Sequence, residues 1–160
     1  MKFRQLHIAV LLFGFLVNAT AQCPNDNSFL GDLTPSACPG SAANTCVNGG
    51  QYVTVNVVSG NTYTFSTCGD TDFDTQITVY NGASVIGHDD DGCGLQSTVT
   101  WVATFTGPVS VLVDRYNCAN SGLCMTLNVS CTAPVDLCAS GPICTGAAAD
   151  VCATACSLGT

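Results

Sequence analysis

Apolar and polar side chains alternate along most of the central part of the chain. Val53, Val55 and Val57 alternate with Thr54 and Asn56, and Ser59-Gly60-Asn61 then leads into Tyr63 and Phe65. A period of two broken by Gly and Asn reads as a hairpin. Ile77 and Val79 alternate with Thr78 and Tyr80 before Asn81-Gly82, a second turn signal. Val99, Trp101, Ala103 and Phe105 give a third stretch, closed by Gly107-Pro108. Val109, Val111 and Val113, then Leu123, Met125, Leu127 and Val129, complete the set. About six or seven short β-branched strands, with turns roughly every eight to twelve residues, predict an all-β antiparallel sandwich. Trp101 falls in phase with the inward valines and is expected in the core. No window shows a helical period.

The flanks differ in texture. Residues 1–21 read as a leader: Lys2 and Arg4 precede an apolar run from Ile8 to Val17 broken only by Gly14. Ala19-Thr20-Ala21 then offers small residues for cleavage before Gln22. The run is too short to span a membrane, which takes about 20 apolar residues, so no transmembrane segment is expected. Thr20-Ala21-Gln22 ahead of Cys23 does not make a lipobox. Residues 22–48 contain Pro, Asn, Ser and Cys with little periodicity, and read as a loop-rich segment packing on the sandwich. Residues 49–131 form the sandwich itself. Residues 132–160, rich in Ala, Gly and Cys, read as a tail or the start of a further module.

Charge narrows the function classes. The 160 residues hold 3 Lys+Arg against 11 Asp+Glu, all of the latter Asp, for a net charge of -8. Arg115 is the only cation beyond the leader, so no basic surface exists to neutralise phosphates, and nucleic-acid binding is excluded.

All 12 cysteines follow the leader. An even number in an exported chain reads as a disulfide framework formed in an oxidising, extracellular or cell-surface location. Zinc fits poorly, because no two cysteines stand as C-x2-C. Cys118 and Cys124 are placed to close a hairpin tip. Among Cys23, Cys38, Cys46 and Cys131, one bridge is expected to tie the N-terminal segment to the last strand. The pairing of these four and of Cys138, Cys144, Cys152 and Cys156 stays open.

Catalysis has few materials. His88 is the only histidine after the leader, and Ser84 or Ser97 could be drawn beside it without any nucleophile-elbow motif. The aspartates are adjacent in turns and do not form a spaced pair of glycosidase carboxylates. The expectation is no enzyme and no catalytic residue.

Thr67-Cys68-Gly69-Asp70-Thr71-Asp72-Phe73-Asp74-Thr75-Gln76-Ile77-Thr78-Val79-Tyr80, followed by Asp89-Asp90-Asp91-Gly92-Cys93-Gly94 and by Val111 to Asn117, resembles the bacterial pre-peptidase C-terminal domain. The resemblance covers roughly residues 48–131, and no peptidase precedes it. It implies a small jelly-roll-like β-sandwich, non-catalytic, of the kind appended to exported enzymes and surface proteins. Some members bind calcium and some bind fibrous or polymeric substrates. It also implies a bridge between Cys68 and Cys93, which would draw two acidic knots to one end of the sandwich.

Those knots are the main chemical signal. Asp70, Asp72 and Asp74 are spaced by two, so an extended chain would project them to one face. Asp89, Asp90 and Asp91 form the second knot. Carboxylates this close repel one another and favour a hard cation held by oxygen, which points to calcium. This is no EF-hand, since Thr75 and Asn81 stand where that loop requires Gly and Glu. The alternative is that aspartates populate turns and solvate an acidic protein. The function expected is a non-catalytic binding or adhesion module, with calcium as the candidate ligand of the acidic knots. Its partner is an extracellular polymer or surface component, or other domains of the same exported protein. The other reading is a purely structural, disulfide-rich element of a larger extracellular assembly.

Overall fold

The computed structural model describes residues 22–69 and 72–134. The leader, Asp70 and the tail cysteines Cys138, Cys144, Cys152 and Cys156 lie outside the described residues. Nine strands run in chain order: β1 (Ser28–Asp32), β2 (Gly40–Asn48), β3 (Gln51–Val57), β4 (Thr62–Ser66), β5 (Thr75–Asn81), β6 (Ser84–Asp89), β7 (Thr98–Val102), β8 (Gly107–Arg115) and β9 (Cys124–Thr132). They form two sheets, a five-stranded one in the order β1-β3-β8-β5-β6 and a four-stranded one in the order β2-β9-β4-β7. The described residues contain no helix, so the β-sandwich stands, with one departure from the antiparallel rule. β1 pairs with β3 in parallel at the sheet edge.

Two rows of inward residues close the core. Val53, Val55, Val57, Ile77, Val79, Val109, Val111 and Val113 come from the larger sheet. Tyr63, Phe65, Val99, Met125, Leu127 and Val129 come from the smaller one. Because Val57 and Tyr63 belong to opposite sheets, Ser59-Gly60-Asn61 is an arch across the sandwich and not the expected hairpin. The β7–β8 connection is a second arch, and the two are tied together by Gly60 N–H to Ala103 O and Ala103 N–H to Asn61 O, both at 2.8 Å. Asn81-Gly82 does turn a hairpin, with Tyr80 opposite Val85 and Asn81 opposite Ser84. Trp101 lies at the margin of the core, half-buried, 5.6 Å from Phe105 between ring centres. Leu123, expected inside, is exposed ahead of β9.

The segment 22–48 is more ordered than its sequence suggests. It supplies β1 to one sheet and β2 to the other, with β2 paired along β9 from Gly40–Cys131 to Asn48–Cys124. Residues 23–27 then form a strap over the outer face of the larger sheet. Cys23 N–H donates to Thr78 Oγ1 (3.3 Å), Tyr80 Oη donates to the Cys23 carbonyl (2.7 Å), and Asn27 Nδ2 donates to Val113 O (3.4 Å). Beneath and beside the strap, Gln76, Thr78, Tyr80, Leu112 and Asp114 are buried although they point away from the core. Burying a leucine such as Leu112 contributes roughly 1.5–3 kcal/mol.

Four disulfides join the described residues: Cys23–Cys118, Cys38–Cys131, Cys46–Cys124 and Cys68–Cys93. The expected Cys118–Cys124 bridge does not form. β8 and β9 lie in different sheets, so no hairpin exists for it to close. Cys118, at φ 53°, instead turns toward the outer face, where its N–H donates to Gln76 Oε1 at 2.9 Å and its sulfur reaches the strap. Cys124 sits on β9 beside β2 and bonds to Cys46 there. Cys38–Cys131 and Cys46–Cys124 both tie the N-terminal segment to the last strand.

Candidate functional site

One end of the sandwich gathers the β4–β5, β6–β7 and β8–β9 connections. Phe73 is its apolar plug, 7 % exposed, with Gln96 Nε2 donating to its carbonyl at 3.4 Å. At Asp72 and Phe73 the chain bends and does not extend. The two-residue spacing therefore does not bring Asp72 beside Asp74. Asp72 is exposed and apart, while Asp74 turns in toward the second knot.

There Asp74, Asp90 and Asp91 each bring one carboxylate oxygen within 4.8 Å of the other two. Asp74 and Asp90 are half-buried and Asp91 is exposed. Asp74 Oδ1 and Asp90 Oδ1 are both buried and accept no hydrogen bond. Burial pushes the Asp74 carboxyl above the usual carboxylate range, with the charges of Asp90 and Asp91 adding to the rise and Arg115 opposing it. Asp89 belongs to a different task. Its Oδ2 accepts Thr98 N–H at 2.7 Å and Gly92 N–H at 2.9 Å, fastening the loop that carries its neighbours.

What aligns Asp74 with Asp90 is a knot of hydroxyls from Thr67, Thr75 and Ser97. Thr67 Oγ1 and Thr75 Oγ1 lie 2.7 Å apart, and Ser97 N–H approaches both, at 3.1 and 3.0 Å. Ser97 Oγ in turn contacts the carbonyls of Thr75 and Asp90, the latter at 2.9 Å. All three residues are fully buried. The Cys68–Cys93 bridge clamps the same two connections from outside. A signal was present in the pattern: Thr67, Thr75 and Ser97 continue the inward rows Tyr63-Phe65, Ile77-Val79 and Val99-Trp101 by one step. Ser97 is committed to this network, and its hydroxyl is not a free nucleophile.

Beside the carboxylates opens a shallow cleft of about 430 Å³, lined by Gln76, His88, Asp89, Asp90, Asp91 and Tyr116 among others. His88 Nδ1 lies 3.1 Å from Thr78 Oγ1. Tyr116 N–H donates to the Asp74 carbonyl, which places the exposed Tyr116 ring next to the acidic group. An all-oxygen donor set suits a hard cation. Calcium–oxygen distances of about 2.3–2.6 Å allow ligands on opposite sides of an ion to stand about 5 Å apart, which the observed separations satisfy. Asp74, Asp90 and Asp91 thus fit calcium; Asp72 and Asp89 do not join them, and Asp70 lies outside the described residues.

Fold and site together define a disulfide-stapled β-sandwich module with a convergent carboxylate group at one end. Among the described residues no helix is long and apolar enough to cross a membrane. The family model described as "Domain of unknown function (DUF8695)" matches residues 42–133, and the chain belongs to that family. The match begins inside β2, ahead of the boundary expected at residue 49. No curated protein matches the chain. Among solved structures it is similar to PliG of Aeromonas hydrophila, a periplasmic lysozyme inhibitor of g-type lysozyme. Identity is 17 % and the TM-score 0.47, over 66 % of this chain and 99 % of that one. It is also similar to the pre-peptidase C-terminal domain of collagenase from Bacillus anthracis. There identity is 13 % and the TM-score 0.41, over 68 % of this chain and 97 % of that one.

Proposed function

We propose that this protein is an exported, non-catalytic module that binds calcium through Asp74, Asp90 and Asp91. With that end it engages an extracellular polymer, a surface component or another domain of the same exported protein. The observation that carries the reading is the pair of buried, unpartnered oxygens, Asp74 Oδ1 and Asp90 Oδ1, facing a third carboxylate. Buried acceptors without donors are costly, and a cation satisfies them while cancelling their repulsion. The exposed Tyr116 beside the group supplies an apolar contact for a partner.

The test is a set of thermal melts with calcium, with magnesium and with a chelator, repeated on Asp90→Asn. Ligation stabilises by about 2.7 kcal/mol at a hundredfold excess over Kd, and extracellular modules bind calcium at roughly 10⁻⁴–10⁻³ M. Magnesium should help less because it demands tighter octahedral geometry. Sodium chloride at matched ionic strength controls for screening of the net negative charge. A calcium shift no larger than that control, or one retained in Asp90→Asn, refutes the site. The structural-element reading then takes its place, favoured by the four bridges that pin the strap, β2 and both acidic connections.

A further inference from the structure

The fold grips the chain from Cys23 onward and leaves a single residue free between it and Ala21. Cys23 is fully buried, its sulfur bonded to Cys118, its N–H on Thr78 and its carbonyl under the Tyr80 hydroxyl. Gln22 is exposed and makes no hydrogen bond to the described residues. Cleavage after Ala19-Thr20-Ala21 makes this glutamine the first residue of the exported protein.

We propose that Gln22 is a modification site: once the leader is removed, its α-amine closes on its own side-chain amide to give pyroglutamate. The amine nitrogen forms a bond to Cδ, the Cδ–Nε2 bond breaks, and an amine proton leaves with the departing nitrogen as ammonia. The ring has five members, and the step needs neither oxidant nor cofactor. Closure requires a first residue whose backbone and side chain can approach each other. Gln22 meets that requirement because its burial and bonding begin only at the next residue.

The location gives the modification a consequence. Cys23 is bonded to Thr78, whose hydroxyl meets His88, and its disulfide partner Cys118 donates to Gln76. His88 and Gln76 both line the acidic cleft with Asp89, Asp90 and Asp91. Cys23, next to the first residue, is thus linked through Thr78 to the His88 wall of that cleft. An open amino terminus is an ammonium below about pH 8. Ring closure removes it, leaving Arg115 as the only fixed positive charge of the exported chain.

The inference rests on export with cleavage before Gln22 and not on calcium binding, and its readout is independent of any metal. The exported protein is purified, and its N-terminal peptide is measured by tandem mass spectrometry and by stepwise Edman degradation. Expected is a peptide starting at residue 22, lighter by one ammonia than the open form and blocked to Edman chemistry. Gln22→Ala, processed at the same bond, should give a free, sequenceable alanine. A first residue other than Gln22, or a free N-terminal glutamine in the aged protein, overturns the proposal.

Discussion

Replacing Asp114 with asparagine should stabilise the protein at neutral pH and change little at acid pH. Asp114 lies on β8 in the strap-covered face, 1 % exposed, with Oδ2 buried and without a hydrogen-bond partner. Burial pushes its carboxyl up from 3.8 to about 6, a rise that Asn27 opposes and Asp26 reinforces. The folded state thus keeps a proton that the unfolded chain releases. Its contribution to stability is fully present below the unfolded pKa of 3.8, and is lost as pH rises through about 6. Two pKa units correspond to nearly 3 kcal/mol, at about 1.4 kcal/mol per unit. Asp26 and Asn27 line a polar, open cavity of about 480 Å³, and solvent there screens part of the charge, leaving about 2 kcal/mol as the expected effect. Asparagine keeps the shape and cannot ionise. The assay is denaturant unfolding of both proteins from about pH 3.5 to pH 8, read as the difference between them, so that the other carboxylates cancel. The variant should gain about 2 kcal/mol at neutral pH, a rise of roughly 8–10 °C in Tm. A difference that stays flat with pH, or an asparagine variant that is less stable at neutral pH, refutes the reasoning.

Two further substitutions probe the supports of the site and the strap. Ser97→Ala removes the hydroxyl that reaches the Thr75 and Asp90 carbonyls. It should cost about 1–3 kcal/mol in denaturant unfolding and shrink the calcium-dependent shift of the melt, and wild-type behaviour in both would dismiss the hydroxyl knot as a positioning element. Cys23→Ser together with Cys118→Ser opens a bridge spanning 95 residues. The chain-entropy model gives about 4–5 kcal/mol for such a loop, and amide exchange at Leu112 and Asp114 should accelerate as the strap lifts; unchanged protection there would show that the strap holds without its disulfide.

The inward rows were legible because a strand that faces one core repeats every second residue, and Val53-Val55-Val57 and Val109-Val111-Val113 do so without interruption. The same rows could not say which strands are partners. Val57 and Tyr63 read alike whether the chain between them turns within a sheet or arches across the core, since both place apolar residues inward. Only the pairing of Val57 with Gly107, and of Tyr63 with Trp101 and Cys131, decides it. The exposed face was harder still. Thr54, Gln76, Thr78 and Asp114 have the polarity of a solvated surface, and polarity normally marks the wet side of an antiparallel sheet. Here a segment without periodicity covers part of that side, fixed by Cys23–Cys118, so that Gln76, Thr78 and Asp114 become buried while still reading as exposed.

The acidic site shows the same division between what local spacing holds and what closure adds. Asp89-Asp90-Asp91 announced a cluster, and the three adjacent residues divide their work: Asp89 holds the loop through Gly92 and Thr98, while Asp90 and Asp91 turn to Asp74. Spacing alone favoured Asp70 and Asp72 as companions of Asp74. For Asp72 it failed because Phe73 must enter the core end, and a chain that buries Phe73 bends there. The residue that brings Asp74 and Asp90 into register is Ser97, which lies on the Asp90 connection but far from Asp74 in sequence. Its role follows from position: it extends an inward row past the last valine, where a hydroxyl can bond the backbones of two connections at once and an apolar side chain could not.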